Sequence, residues 1–476
     1  MKTEHKNTDK NIFKAHPVML LRFLKPFLFV LVIPLLKGAV QYLIYHRITG
    51  VWAMEALAFS VIFIIALLRL LAFSVSCEND IITVKSGLIL RNRAEISFGA
   101  LSCVSVSQNP LDMIFSSVTY NINTEAGASG KADFCLKLSK SDARRLSALL
   151  YSGKRPVLIK FSPARVAALS AASSSFLTGL LVGVPVIKYS GNLLGVSIAD
   201  MLIDRIDLIS QKFNNYFPPA VNAITLLFIL FYGISFVAAF FKNMNFTIAV
   251  GKNELESRSG FITKHHTVFK KSSINCILVE QTPLMRLLGL FTMSAAVGGY
   301  GDAKGERPAV IPCGNRKEID IQLKVMFPFK TGNENIIRPK ITGRNKLRYM
   351  FMPCVWYITI AAAVVAVALF ARHFLRFVLF LAAVAAAVNT YYLFTCRTEV
   401  RKGRIESGES VSVFSTRRMS LREMHFKASN LGEIRLTETP ADRKHGTCKV
   451  RFTVGGESAE SIRIRNIDKS RITAIF

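Results

Sequence analysis

Apolar residues in this chain fall into long runs, and the runs come in pairs. Residues 23–45 and 51–75 are separated by the turn His46-Arg47-Ile48-Thr49-Gly50. Residues 165–187 and 219–241 form a second pair, and residues 350–371 and 374–395 form a third, joined by little more than Arg372-His373. Each run is about twenty residues long, the length of helix that crosses the hydrocarbon core of a bilayer. The run at 165–187 is the most polar, with Ser170, Ser173, Ser174, Ser175 and Thr178 crowded together. Pro34 and Pro185 are tolerable inside membrane helices, where neighbours re-satisfy freed backbone groups. Between the second pair the period changes to that of a surface helix. Ile198, Leu202, Ile206, Ile209 and Phe213 form one stripe, opposite Asp200, Asp204, Asp207 and Gln211, and Ser197 with Asp200 is a capping start. Segment 188–218 reads either as an amphipathic helix on the outer membrane face or as a helix packed on the bundle.

Behind each pair the pattern shortens to alternation. Ile81–Val84, Leu88–Leu90, Val104–Ser107, Val118–Ile122 and Phe134–Leu138 read as short strands, and Ser141-Asp142 opens a helix carrying Leu146, Leu149 and Leu150. The same plan recurs over 242–327, ending in the helical stretch Glu318–Leu323, and over 396–476, where the last helix is short. The divisions are a basic N-terminus 1–22, helix pair 23–75, β unit 76–160, helix pair 165–241 with its outer segment 188–218, β unit 242–327, basic linker 328–349, helix pair 350–395 and β unit 396–476. The expected fold is a multi-pass α-helical membrane protein with six transmembrane helices and three small β-barrel or sandwich units, each closed by a helix.

The first two β units are copies. Gly87 and Gly260, Ile89 and Ile262, Gln108 and Gln281, Pro110 and Pro283, and Leu111 and Leu284 all stand at one fixed offset of 173 residues, the signature of an internal repeat. A third copy of the step lies at Glu438-Thr439-Pro440. Ser116, Gly289 and Gly446 each follow the proline by six places. Proline fixes φ and cannot donate to a ladder, so this step belongs at a strand end or corner. The Gln would cap a backbone group there, and Leu111 or Leu284 would anchor the corner in the core.

Composition and charge then sharpen the picture. Hydrophobic residues make up 51% of 476, and 61 Lys and Arg against 31 Asp and Glu give a formal +30. Most basic residues fall in the N-terminus and the three large units, which places both termini and all three units in the cytoplasm by the positive-inside rule. That accounts for much of the charge without nucleic acid. The eight cysteines show no Cys-x-x-Cys spacing, as expected of reduced thiols in a cytosolic compartment rather than a disulfide frame or zinc site. The basic start 1–22 reads as an uncleaved lead-in and not as a signal peptide. No Walker lysine loop, His-Glu-x-x-His or nucleophile elbow is present, so no catalytic, cofactor or metal residue is assigned. His265 and His266 are neighbours on a strand and point to opposite faces, which argues against one shared ion. Lys37 and Glu55 lie within the first pair of runs and read as an intramembrane charge pair.

Two apolar runs feeding a β unit with a turn glycine, a Gln-x-Pro-Leu step and a closing helix resemble the bacterial PH-like domain bPH2, formerly DUF304. Three copies behind three helix pairs are similar to the YdbT-type multi-span membrane proteins. The resemblance implies a PH-like fold, a membrane location and no catalytic residues. It points to a non-enzymatic scaffold or sensor at the cytoplasmic leaflet of the plasma (inner) membrane, in envelope stress or resistance to membrane-active peptides. A partner membrane protein, such as a second PH-like protein, is also implied. The alternative is a small-solute or lipid transporter with regulatory β units. By analogy with familiar PH domains, the basic residues of the first hairpins are candidates for lipid-headgroup or leaflet contact: Lys85, Arg91, Arg93, Lys264, Lys270, Lys271, Arg417 and Arg418. General attraction to an anionic leaflet, on the order of 1 kcal/mol per charge, competes with specific headgroup recognition.

Overall fold

A computed structural model describes residues 11–25, 51–87, 91–125, 132–150, 157–175, short stretches between 177 and 187, 198–213, 219–298, 309–326, 335–340, 343–417, 419–455 and 459–473. The first unit runs β1 (Asn11–Lys14), α1 (Val51–Leu71), β2 (Ser74–Glu78), β3 (Ile81–Ser86), β4 (Asn92–Ser97), β5 (Leu101–Gln108), α2 (Pro110–Ile114), β6 (Ser117–Thr124), β7 (Phe134–Ser139) and α3 (Lys140–Leu150). The second runs β8 (Val157–Lys160), α4 (Pro163–Ser173), α5 (Ile198–Phe213), α6 (Pro219–Asn243), β9 (Thr247–Val250), β10 (Glu254–Ser259), β11 (Lys264–Lys270), β12 (Ile274–Gln281), α7 (Pro283–Leu287), β13 (Leu290–Val297), β14 (Ala309–Asn315) and α8 (Arg316–Met326). The third runs β15 (Asn335–Ile337), α9 (Gly343–Phe370), α10 (Leu375–Lys402), β16 (Arg404–Ser407), β17 (Ser410–Arg417), β18 (Ser420–Lys427), β19 (Leu431–Thr437), α11 (Pro440–His445), β20 (Thr447–Val454), β21 (Glu460–Asp468) and α12 (Lys469–Thr473).

Each unit begins before its apolar segment. β1 pairs antiparallel with β2, β8 with β9, and β15 with β16, so each hydrophobic excursion leaves from one strand and returns into its neighbour. Segment 328–349, read from sequence as a linker, therefore contributes β15, and the basic N-terminus contributes β1. Each unit has a four-stranded sheet and a three-stranded sheet, with alternate residues turned inward as the pleat requires. Val75, Ile82, Tyr120, Leu138 and Leu146 fill the first core, Ile248, Leu255, Ile277 and Met293 the second, and Ile405, Val413, Phe426, Phe452 and Ile464 the third. Each such side chain stabilises its unit by about 1.5–3 kcal/mol through burial.

The units are not beads on a string. β5 of the first unit pairs with β11 of the second, and β12 of the second pairs with β18 of the third. Two seven-stranded sheets result, in the orders β7-β6-β5-β11-β10-β9-β8 and β14-β13-β12-β18-β17-β16-β15, flanked by the four-stranded β1–β4 and the three-stranded β19–β21.

The helical part differs from the six transmembrane helices expected. Among the described residues, three helices are long and apolar enough to cross a membrane, over Ile224–Asn243, Met350–Phe370 and Phe377–Lys402, and about 37% of the structure is strand in four sheets. Run 165–187 is not one helix. α4 stops at Ser174, whose backbone is extended (ψ 146°), and the serines divert hydrogen bonds to carbonyls of their own turn: Ser170 Oγ donates to Val166 O at 2.8 Å and Ser174 Oγ to Ser170 O at 2.5 Å. In α1 the apolar stretch with described side chains is the shorter Leu57–Leu71, and run 23–45 lies outside the described residues beyond residue 25. α5 forms where the 3.6 periodicity predicts a helix and packs along α6, with Leu202 and Ile206 half-buried.

Candidate functional site: corners, tips and seams

The Gln-x-Pro step builds a short helix with a start and a stop. Pro110, Pro283 and Pro440 each occupy the first helical turn, where a missing N–H costs nothing. Gln108 Nε2 donates to Ser117 O at 3.2 Å, and Gln281 Nε2 donates to Leu290 O at 3.1 Å, so each glutamine ties the strand before the corner to the strand after it. Six places past the proline, Ser116, Gly289 and Gly446 take left-handed backbone, with φ of 51°, 66° and 61°, and end the helix. The third copy carries Glu438. A carboxylate has no proton to donate across the corner, and Glu438 instead pairs with Lys469 Nζ at 2.7 Å.

The expectation that Leu111 and Leu284 anchor this corner is corrected: they are 60% and 37% exposed. The next residue turns inward instead, because the helix puts its third position against the following strand. That residue is Met285 in the second unit, Asp112 in the first and Asp442 in the third, all buried. Asp112 accepts from Lys137 Nζ (2.6 Å), Ser117 Oγ (2.8 Å) and Thr119 Oγ1 (3.4 Å). Burial pushes its carboxyl up, but the bonds from Lys137 and Ser117 outweigh that and hold it below its ordinary value.

The hairpin tips and α7 abut the helices. Gly260 turns the β10–β11 hairpin at φ 100°, where a Cβ would run into the Thr263 carbonyl. Gly260 N donates to Met244 O at 2.7 Å and Phe261 N to Phe241 O at 3.0 Å, at the end of α6. Arg286 of α7 donates to Thr398 Oγ1 at 2.6 Å and lies 4.4 Å over the Phe394 ring on α10. Thr416 Oγ1, on the β17–β18 hairpin, donates to Glu399 Oε2 of α10 at 2.7 Å. Phe261, Ile262, Leu284, Leu287 and Leu288 are exposed around these junctions.

The basic candidates separate. Lys85 on β3, Arg91 just before β4 and Arg93 on β4 are exposed, with Lys85 opposite Arg93 in register and Arg93 paired with Glu95 at 2.5 Å. Lys264 is exposed beside the β10–β11 tip. Lys270 sits at the other end of β11, where its ammonium donates to Phe98 O (2.5 Å) and Gly99 O (3.0 Å) across the first seam. Lys271 follows it, half-buried, and burial lowers its ammonium pKa. Arg417 ends β17 with its side chain outside the described residues; Arg418 and Lys37 lie outside them altogether, as does the side chain of Glu55 on α1. No cluster that holds a metal ion occurs among the described residues. His266 Nε2 instead lies 2.6 Å from Glu256 Oε1, and that contact, outweighing burial, lowers the Glu256 carboxyl.

The seams carry charges that the sequence reading missed. Arg422 of β18 is 2% exposed and faces Glu280 across the second seam at 3.0 Å, with Glu460 Oε2 at 2.8 Å. Beside it, Glu423 accepts from Arg316 Nη1 at 2.6 Å. Burial pushes the Glu423 carboxyl up, while His425 and Arg316 more than offset that and lower it. Four consecutive buried positions in β18, Leu421 to Met424, mark a strand covered on both faces. The run Leu421-Arg422-Glu423-Met424 is the signal that reveals this, because charges interrupt an apolar strand that has no free face.

The bacterial PH domain family matches residues 21–154 and 193–324, more than half of the chain. The chain is also 24% identical over 325 residues to UPF0699 transmembrane protein YdbT of Bacillus subtilis (strain 168), which covers 62% of this chain and 65% of that protein, just under two thirds of its length. No solved structure matches. The matched segments end before the third unit, which repeats the same strand order and corner. With the repeated two-sheet units and the apolar helices, these matches show that the chain is a membrane protein belonging to the bacterial PH domain family.

Proposed function

We propose that the protein is a non-enzymatic membrane scaffold, in which the three PH-like units act as one rigid platform held against the cytoplasmic leaflet. The observation that carries this reading is the pair of seams. Strand pairing across β5–β11 and β12–β18 ties each unit to the next through backbone hydrogen bonds, and Lys270, Arg422 and Arg316 fasten the seams with side chains. The chain's first and last described elements, β1 and α12, both belong to the β array, which supports both ends lying on one side of the membrane. The basic excess supports that side being the cytoplasm. Exposed Lys85, Arg91, Arg93 and Lys264 then serve general leaflet attraction, whereas Lys270 is occupied in the seam.

Spin labels at exposed Arg144 on α3 and Arg471 on α12 test this in the full-length reconstituted protein. A single narrow distance distribution is expected. A broad one, as from independently moving units, overturns the scaffold reading.

A further inference from the structure

The repeat supplies its own control for what is special in the third unit. On the outer face of its three-stranded sheet, Arg435, Arg451 and Arg463 stand directly opposite one another across β19, β20 and β21. The same register positions are Ser105, Asn121 and Cys135 in the first unit and Leu278, Ser294 and Ala309 in the second, with no charge at any of them. Like charges directly opposite in a sheet repel. Lys449 and Arg465 add to the same face. Arg435 is answered by Glu433 at 2.7 Å. Arg463 faces Arg451 and Arg465, and burial together with these two cations pulls its pKa down. The ladder is particular to the third unit, whose β19 is the edge of its sheet where β5 and β12 pair onward into the next unit.

The ladder opens into a cavity of about 450 Å³, walled by Arg422, Arg451, Arg463 and Arg465 with Ser461 and Thr416. Thr416 and Arg465 also wall a second space, of about 610 Å³, which runs between α9 and α10 past Trp356, Ile360, Ala385 and Val388. A third, of about 420 Å³, joins Trp356 to Lys449, Arg463 and Arg465. Arg465 lines all three, which adjoin as a slot with a cationic end against β20–β21 and an apolar end between two helices long enough to cross a membrane; Glu399 also lines the second space, beside Arg465. Guanidinium groups match phosphate oxygens in geometry and charge, and a tryptophan with aliphatic neighbours on two long apolar helices matches an acyl chain.

We propose that this slot binds an anionic phospholipid. Its phosphate sits between Arg451, Arg463 and Arg465, and one acyl chain lies along Trp356, Ile360 and Val388. The site lies on the outer face of the second sheet of the third unit, away from the first hairpins, and it stands whether or not the platform as a whole is rigid.

The chain has two tryptophans, so Trp52→Phe leaves Trp356 as the reporter. The full-length Trp52→Phe protein is reconstituted in phosphatidylcholine nanodiscs containing phosphatidylglycerol, with bromine on the acyl chains of one lipid or the other. Brominated phosphatidylglycerol is expected to quench Trp356 at about one tenth the mole fraction that brominated phosphatidylcholine needs: both lipids carry the phosphate, but the choline ammonium brings a like charge to the arginines and the glycerol headgroup does not. Arg451→Gln with Arg463→Gln removes that preference, while Arg435→Gln, on the ladder but outside the cavity, keeps it. Equal quenching by the two lipids in the protein with intact arginines overturns the proposal without recourse to any arginine variant. Millimolar inorganic phosphate or glycerol phosphate that abolishes the preference also overturns it, because the site then takes a free anion. Loss of preference in Arg435→Gln equal to that in the double variant reduces the effect to net charge and counts against the site.

Discussion

The two seams join equivalent strands by different chemistry. At the first, β11 lays Thr267, Val268 and Phe269 against Ser105, Val104 and Cys103; the polar contacts are neutral or lie at the periphery, with Thr267 Oγ1 donating to Ser105 Oγ at 3.4 Å, Lys270 on two carbonyls and Ser273 Oγ on Glu125 at 2.8 Å. At the second, the position equivalent to His265 is Arg422, buried between Glu280 and Glu460. Such a centre adds little net stability over an apolar one, but it is costly to break and it penalises any other register. A seam of small and apolar residues tolerates slippage; a seam with a paired arginine does not. The same strand pairing thus gives adhesion at one junction and register at the other.

Substitutions that break the contrast follow in order of expected size. Arg422→Ala leaves Glu280 and Glu460 facing each other, and is expected to lower unfolding stability by about 3–5 kcal/mol, less whatever solvent reaches half-buried Glu280. His265→Ala at the first seam is expected to cost under about 1 kcal/mol by the same denaturation assay. A cost at His265 equal to that at Arg422 would remove the distinction. Next is the corner. Asp112→Ala strands the Lys137 ammonium and is expected to cost about 2–3 kcal/mol. Because the folded Asp112 carboxyl lies below its ordinary value of 3.8, its contribution is complete above that value and is lost as pH falls through the lower, folded one. Asp112→Asn should therefore flatten the acid limb of a stability-against-pH curve and leave neutral and alkaline pH dependence unchanged. Gln281→Glu removes the donor to Leu290 O and should cost about 1 kcal/mol, in the direction of the third unit, which already has Glu438. The smallest effect is a gain: Ser116→Gly relieves left-handed backbone and should raise stability by about 0.5–1 kcal/mol.

Much of this fold was legible in the order of residues. The offset between Gln108-x-Pro110 and Gln281-x-Pro283 announced a repeated corner, and the αL positions at Ser116, Gly289 and Gly446 explain why the sixth residue mattered as well. α5 was visible in the spacing of Leu202 and Ile206. What was hidden has a common physical cause. β1, β8 and β15 are three or four residues long and lie ahead of the apolar segments, so alternation had too few positions to register. The seams join strands far apart in sequence, and nothing local in β5 announces β11. Apolarity alone also overstated the helices: run 165–187 has the composition of a span, but its serines turn the chain at Ser174. The arginine cavity was hidden for the same reason as the seams. Arg435, Arg451 and Arg463 are scattered along the third unit and converge only when β19, β20 and β21 align.

Two strand-paired seams join the three PH-like units, four sheets in all, into one body. Amide hydrogen exchange on the full-length protein in nanodiscs tests it most directly. Amides of β5, β11, β12 and β18 are predicted to exchange only through the global opening that also releases core strands β6 and β13. Exchange in β5 and β11, or in β12 and β18, at the fast rate of an exposed edge while β6 and β13 stay protected would contradict it.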